Sequence, residues 1–258
     1  MIMLHDKDEI LSFLQKNVFL HIYSIGDLDD FFWNYTTWYA SKQNGEIEAI
    51  ILLYSGVPSP VLLALSDDLE PMKALLRSVM PLLPNRFYSH LSPGTEEVIE
   101  ERFQFKPHGE HYKMALKNSP LLENVDVENV IRLSKDNLED VLQLYEFSYP
   151  GNWFDPRMLE TNQYFGIREQ NRLVSISGVH VYSAQYKVAA LGNITTHPAY
   201  RGQGFGKAAT AKLCLSLAEK VDHIGLNVKS DNQTAISLYE KLGFETICSY
   251  GEYMVESK

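Results

Sequence analysis

Between Leu191 and Gly206 the chain reads Leu-Gly-Asn-Ile-Thr-Thr-His-Pro-Ala-Tyr-Arg-Gly-Gln-Gly-Phe-Gly, and no other stretch restricts the fold so tightly. A strand-like run ends near Thr196, and Pro198 cannot donate to a ladder. Gly202, Gly204 and Gly206 then lead straight into a helical pattern that runs to Lys220. Strand, glycine bend and helix in that order bring unpaired N–H groups and the positive end of a helix dipole to one point, which suits an anion. Glycines without a Cβ let the backbone approach such a ligand closely. Arg201 and Lys207 add positive charge at the rim. The focus stands out because the chain holds 23 Lys+Arg against 33 Asp+Glu, a net charge of −10. A phosphate-bearing ligand is the expected occupant, whereas nonspecific binding to a nucleic-acid backbone is not expected of so acidic a chain.

The 258 residues, 45% hydrophobic and 22% charged, suit one large folded domain or two small ones. Cys214 and Cys248 are too few for a disulfide framework or a metal cluster and fit a reducing compartment. Asp6, Lys7, Asp8 and Glu9 interrupt the first ten residues, so no signal-peptide core is expected there. The longest apolar runs, such as Ala49 to Tyr54, fall far short of the ~20 residues of a membrane span. The expectation is a soluble, cytoplasmic protein with no nucleic-acid, membrane or metal partner.

Periodicity divides the chain into two halves. In the first, residues 8–15 read as a helix, 36–42 and 47–54 as a hairpin around Asn44-Gly45, and 61–65 as a buried strand. Helices over 71–83 and 95–102, the second capped by Thr95, and strands over 87–91 and 112–116 complete it. The aromatic run Phe31 to Tyr35, with Trp38 and Tyr39, reads as core. Asn118-Ser119-Pro120 is a breaker cluster, after which the order begins again. Strand 130–133 precedes helix 137–147, which offers Leu138, Val141, Leu142 and Tyr145 on one face; the loop 149–155 and a short helix 156–161 follow. A hairpin of 163–168 with 173–182 leads to strand 187–196 and helix 204–220, then strand 224–229 and helix 233–242. Two last strands are expected over 244–248 and 252–255. Gly109-Glu110-His111-Tyr112-Lys113-Met114 near the end of the first half matches Gly251-Glu252-Tyr253-Met254 near the end of the second. With the repeated element order, a duplicated α/β unit is expected, divided as 1–118, a linker 119–128, and 129–258.

The glycine bend admits several readings. No Gly-Lys-Ser/Thr closes it, so it is not a Walker loop. Lys207 stands where a dinucleotide fingerprint needs its third glycine. An ordinary glycine-rich turn would need no ligand. The remaining reading fits both bend and context: Arg201, Gly204 and Gly206 match in register the Arg/Gln-x-x-Gly-x-Gly/Ala signature of the GNAT superfamily of N-acetyltransferases, which the chain resembles. A second match, Asp231 to Phe244, looks like that family's fourth helix and its exit. Asn232 and Gly243 are also a good N-cap and C-terminal stop, which capping alone would explain.

The resemblance covers Val130 to Val255 well and reaches the first half only in element order. It implies a tandem GNAT-like α/β (α+β) fold, two mixed, mostly antiparallel sheets flanked by helices. It further implies acyl transfer, usually of acetyl, from coenzyme A to a primary amine of a small molecule or peptide, with no metal. Under it, Arg201, Gly202, Gln203, Gly204, Phe205, Gly206 and Lys207 hold the coenzyme's pyrophosphate, and Ile194, Thr195 and Thr196 its pantetheine arm. Asn232 lies near that arm, and Tyr239 is the group that protonates the departing thiolate, unless it is only a core aromatic. Tyr149, Asn152, Trp153 and Phe154 are acceptor-wall candidates, with Asp155 supplying charge, although Trp153 and Phe154 serve equally as plugs between helices.

Some members of the family place a glutamate base early in the fourth strand, but Val188-Ala189-Ala190-Leu191 offers no carboxylate there. His180 and His197 are the nearest imidazoles, and the base stays unassigned. The first half has three acids in Ser66-Asp67-Asp68-Leu69-Glu70, where a phosphate would need donors, so it reads as a degenerate copy that buttresses the second and helps form the acceptor cleft. An acyl-CoA sensor without turnover is the alternative function, and aminoacyl transfer from a charged tRNA a weaker one.

Overall fold

Two hairpins, each turning on a pair of left-handed residues, set the strand order. Asn44 and Gly45 take φ of 53° and 87°, Gln170 and Asn171 49° and 65°, the pairing that matches a two-residue turn to the twist of its strands. The computed structural model describes residues 1–258. Its first elements are β1 (Ile2–Leu4), α1 (Lys7–Leu14), α2 (Ile22–Gly26), α3 (Asp30–Trp33), β2 (Thr36–Gln43), β3 (Glu46–Tyr54), β4 (Val61–Ala64), α4 (Leu69–Val79), β5 (Arg86–Leu91), α5 (Glu96–Glu100) and β6 (Phe103–Leu116). They are followed by β7 (Ile131–Arg132), α6 (Leu138–Ser148), β8 (Phe165–Glu169), β9 (Arg172–Ser183), β10 (Val188–Thr196), α7 (Phe205–Ala218), β11 (His223–Lys229), α8 (Gln233–Lys241) and β12 (Phe244–Ser257).

The chain forms two compact units. The first comprises Met1–Lys113, Val228–Asp231 and Ile247–Lys258, the second Met114–Asn227 and Asn232–Thr246. The first unit therefore takes in residues that lie late in the chain. In it β1, β2, β3 and β4 pair antiparallel in succession, β4 pairs parallel with β5, and β5 pairs antiparallel with residues 251–256 of β12. α4, which crosses between the parallel strands, buries Met72, Leu75, Leu76 and Val79 against Ile51, Leu62, Ala64, Phe87 and Phe103. In the second unit β7, β8, β9 and β10 pair antiparallel, and β10 pairs parallel with β11. α7 makes the crossing there and buries Ala209, Leu213, Cys214 and Leu217. Hairpin, strand, helix, parallel strand, short helix and long strand thus occur twice, a tandem arrangement of one α/β plan.

Several elements differ from expectation. Residues 244–257 form one continuous strand, because Gly251 takes its place in the ladder opposite Leu91. β6 likewise runs unbroken from Phe103. Leu142 is 48% exposed, and Leu144 fills the inner face of α6 beside Val141 and Tyr145. Thr95 precedes α5 but its hydroxyl donates to the Ser92 carbonyl instead of capping. The aromatic run divides: Phe32, Trp38 and Tyr39 are buried while Tyr35 is exposed.

The first unit has a polar interior. The Glu252 carboxylate accepts hydrogen bonds from the hydroxyls of Tyr88 and Tyr250 and lies 3.4 and 3.5 Å from the Nε2 atoms of His90 and His111. Buried Lys113 lies over the rings of Tyr23 and Tyr250, and burial pushes its pKa down to about 8. Asp27, at the end of α2, is pushed up to about 8 from the usual 3.8 by burial.

The sign of the Asp27 effect follows from linkage. The folded state keeps a proton that the unfolded state has released, so each step in pH from about 4 to about 8 favours unfolding. Asp27→Asn removes that slope. Its stability relative to wild type is expected to rise steadily across this window in urea denaturation at a series of pH values, and a constant difference would contradict it. Gly243, at φ 93°, has space for no side chain: a Cβ would stand 2.2 Å from the Asn118 carbonyl oxygen. Gly45, at φ 87°, faces open space. Gly243→Ala should cost about 3 kcal/mol and Gly45→Ala about 1 kcal/mol in the same measurement.

Candidate functional site

The parallel ladder of the second unit runs from Val188 opposite His223 to Leu191 opposite Leu226 and stops there, although β10 continues to Thr196. On its other edge β10 stays paired with β9, but with a register shift between Gly192 and Thr195. The shift marks a bulge, and within it Asn193 takes φ 55°. Beyond Leu191 the edge that faced β11 leaves the ladder, and Ile194, Thr195 and Thr196 lie along it, half-buried. Aromatic rings brace this region. Tyr164 lies where a Cβ on Gly178 would stand, and His180 where one on Gly192 would stand. Larger residues at either glycine would displace those rings.

Past Thr196 the chain makes a 3-10 turn, Pro198–Tyr200, capped by Nδ1 of His197, which accepts from the Ala199 amide at 3.2 Å. The His197 ring stacks on Phe147 at 5.2 Å and an interplanar angle of 11°. His197 thus serves as a cap. Gly202 and Gly204 have φ of 77° and 85° with open space where a Cβ would be, so the left-handed backbone demands glycine there whether or not a ligand approaches. Gly204 is the N-cap of α7, whose first closing bond runs from the Ala208 amide to the Gly204 carbonyl at 3.0 Å. The amides of Phe205, Gly206 and Lys207 precede that bond and belong to the orphan donors of a helix start. Gly206 packs α7 close to the strand: a Cβ would meet Thr196 Oγ1 at 3.2 Å. Arg201 is exposed and folds back to donate from Nε to the Thr196 carbonyl at 3.1 Å.

Asn232 caps α8, its Oδ1 accepting from the Ala235 amide at 3.2 Å. Tyr239, on the buried face of α8, packs on Phe244 at 5.9 Å. Burial raises its phenol pKa well above the usual 10.0, and the nearby Tyr149 hydroxyl and Cys214 thiol add to the shift. Tyr149, at the exit of α6, and Tyr239 are thus brought within electrostatic reach of each other. In the loop 149–155, Phe154 is half-buried, 5.1 Å from Tyr145 and 5.7 Å from Tyr164, while Trp153 is 41% exposed. Asp155 does not supply free charge as expected: it caps the turn Pro156–Thr161 and pairs with Arg157 at 2.5 Å. Burial alone would raise its pKa, but the Arg157 hydrogen bonds and charge outweigh that and hold it below the usual range. Tyr145, expected only on the apolar face of its helix, meets Tyr164 and Asn193 in this region. The Tyr145 hydroxyl donates to the Asn193 carbonyl at 2.8 Å and Asn193 Nδ2 donates to Tyr164 Oη at 3.0 Å. An asparagine amid the apolar residues of a buried strand was the available signal.

The corresponding region of the first unit is closed. β4 is paired with β5 along its whole length, Val61–Ala64 against Tyr88–Leu91. The Ser92 amide donates to the Ala64 carbonyl, and the Ser66 amide to Ser92 Oγ. Those bonds seal the strand ends where β10 and β11 part.

A family model described as "Acetyltransferase (GNAT) family" matches residues 130–244. An acetyltransferase of Yersinia pestis (strain Pestoides F) is 31% identical over 120 residues, 43% of this chain and 84% of that protein. The mycothiol acetyltransferase of Kocuria rhizophila is 32% identical over 100 residues, 36% of this chain and 32% of that one. The chain spans about a third of the length of the first curated relatives it matches. A solved tandem GNAT protein from the clavulanic acid biosynthesis pathway superposes with a TM-score of 0.62 at 12% identity, covering 100% of this chain and 98% of that one. The chain belongs to the GNAT acetyltransferase family, and its fold is the tandem form of that family. No helix is long and apolar enough to cross a membrane.

Loss of the Asn232 cap separates its local role from any contact with a ligand. Asn232→Ala should lower stability by about 1 kcal/mol in urea denaturation, the ordinary worth of an N-cap, and an unchanged midpoint would show that the bond to Ala235 contributes nothing.

Proposed function

We propose that the second unit transfers an acyl group, acetyl in the first instance, from coenzyme A to a primary amine of a small molecule or peptide. The observation that carries this reading is a conjunction: the parallel ladder ends at Leu191 and Leu226, and the glycine bend just beyond presents the unpaired amides of a helix start. Those residues fit a long, phosphate-bearing thioester, with its phosphates at the bend and its arm along the strand. Acetyl-CoA supplies the activated acyl carbon.

In this reading Gln203, Gly204, Phe205, Gly206 and Lys207 direct their amides at the pyrophosphate, flanked by Arg201 and Gly202. The edge of Ile194, Thr195 and Thr196 orients the thioester carbonyl, and Asn232 borders the arm. Positioning and stabilisation of the developing oxyanion provide much of the rate. Tyr239 faces the departing sulfur. A thiol has a pKa of about 8.5, whereas burial makes the Tyr239 phenol hold its proton beyond the usual 10.0. Full proton transfer would run uphill, so Tyr239 acts by donating a hydrogen bond to the forming thiolate. Tyr149, Asn152, Trp153 and Phe154 wall the acceptor. No carboxylate of β10 stands ready as a base, and with His197 Nδ1 engaged as a cap, no side chain is assigned to take the amine proton.

Residues 1–118 are read as a degenerate copy, 119–128 as a linker and 129–258 as the transferase domain by duplication, with the end of β12 packing in the first unit. The sealed ends of β4 and β5 and the acids Asp67 and Asp68 support a first copy that holds no coenzyme.

Wild type should release free thiol from acetyl-CoA with at least one member of a panel of amines and short peptides. Gly204→Glu should abolish turnover with the circular dichroism spectrum retained. Tyr239→Phe should lower kcat on the order of 10²-fold with the KM for acetyl-CoA little changed. Calorimetry showing no coenzyme binding would overturn the reading, and tight binding without thiol release across the panel would favour an acyl-CoA sensor.

A further inference from the structure

Three buried side-chain atoms of the second unit have no hydrogen-bond partner: Nε2 of the capping His197 and two side-chain amide atoms, Oδ1 of Asn193 and Nδ2 of Asn152. Neighbours fix the orientation of each amide. The Tyr164 hydroxyl donates to the Val179 carbonyl at 2.8 Å. With that proton used, the 3.0 Å bond between Tyr164 Oη and Asn193 must be donated by Asn193, which leaves its Oδ1 as the lone acceptor. Oδ1 of Asn152 accepts from the Phe154 amide at 3.1 Å, which leaves its Nδ2 as a donor. Both amides belong to one neighbourhood, since the Phe154 ring packs on Tyr145 and Tyr164, the two residues that bond to Asn193.

Leaving buried polar atoms unpaired costs stability, and native structures seldom keep them without a use. Here the amide pair is one acceptor and one donor, both uncharged, and Asp155, whose charge reaches Tyr164, is committed to Arg157. Their complement is an N–H together with a C=O. We propose that Asn193 and Asn152 form a neutral pocket for the amino end of a peptide, Asn193 Oδ1 accepting from the acceptor's N–H and Asn152 Nδ2 donating to its first carbonyl oxygen. The proposal rests on the reading of the second unit as the transfer site. A simple alkylamine would satisfy only Asn193. Asn152 and Phe154 belong to the same loop, 149–155, so entry of a peptide between the two amides requires Phe154 to leave Tyr145 and Tyr164. Gly151, at φ 76° with open space around it, lies in the bend of that loop.

The test is nuclear magnetic resonance of the full nitrogen-15-labelled chain with coenzyme A present. Titration with trialanine amide should move the side-chain amide signals of both Asn152 and Asn193, whereas butylamine should leave Asn152 unmoved. Asn193→Gly, which tolerates the left-handed backbone, should weaken trialanine amide binding on the order of tenfold. Tyr164→Phe breaks the same internal bond but leaves Oδ1 in place, and should weaken it less than about twofold. The proposal is overturned if trialanine amide leaves both signals unmoved at millimolar concentration, or if the two variants weaken binding equally. Shifts of the backbone amides of residues 203–207 on adding coenzyme A report the coenzyme site separately. Loss of those shifts with peptide binding retained sinks the transfer reading and supports the pocket, and the reverse sinks the pocket alone.

Discussion

The second unit depends on where one parallel ladder stops. Adjacent parallel strands ordinarily continue to pair until one of them ends, since every unpaired backbone group inside a protein is costly. β10 and β11 part after Leu191 and Leu226 because the bulge at Asn193 re-aims the chain. That bulge is held from one side by the Tyr145 and Tyr164 hydroxyls. Tyr164 and His180 in turn lie across Gly178 and Gly192, on neighbouring strands. The unpaired edge of Ile194 to Thr196 and the glycine bend beyond it follow from this one interruption, and the loop 149–155 reaches the same tyrosines through Phe154.

Duplication makes the point by contrast. Both units run hairpin, strand, helix, parallel strand, short helix, long strand, and both bury a crossing helix against the sheet, the amphipathic α4 in one and the more uniformly buried α7 in the other. They differ in what happens at the ends of the parallel pair. Ser66 and Ser92 close the first unit with reciprocal hydrogen bonds, and Asp67 and Asp68 follow where the second unit has glycines and cations. Topology alone therefore says little about chemistry. Its own polar investment lies elsewhere, in the Glu252 carboxylate shared by two tyrosines and two histidines.

What was legible in the sequence was local. Asn44-Gly45 marks a hairpin because asparagine and glycine accept the left-handed backbone that most residues resist, and Asn232 marks the start of α8 because its side chain completes the helix. The glycine bend was legible for the same reason. The unread features are tertiary. Leu142 and Leu144 are both apolar and two residues apart, and only the packed sheet decides that Leu144 turns inward. Gly251 reads as a break until Leu91 is seen opposite it. Asp27 sits in a stretch that gives no warning of full burial. Asn193 stands in the approach to the bend, but its orphaned oxygen depends on a tertiary fact, the Tyr164 proton being spent on the Val179 carbonyl.

The assignment of residues 247–258 to the first unit has a consequence for biosynthesis. A chain made from its amino end would hold residues 1–113 with β5 lacking the neighbour that Gly251 to Glu256 provide. That half cannot complete its sheet on the ribosome before the later half has emerged, so the exposed flank of β5 is open to wrong partners for most of translation. Proteolytic nicking near residue 247 would accordingly injure the half of the molecule farthest away in sequence.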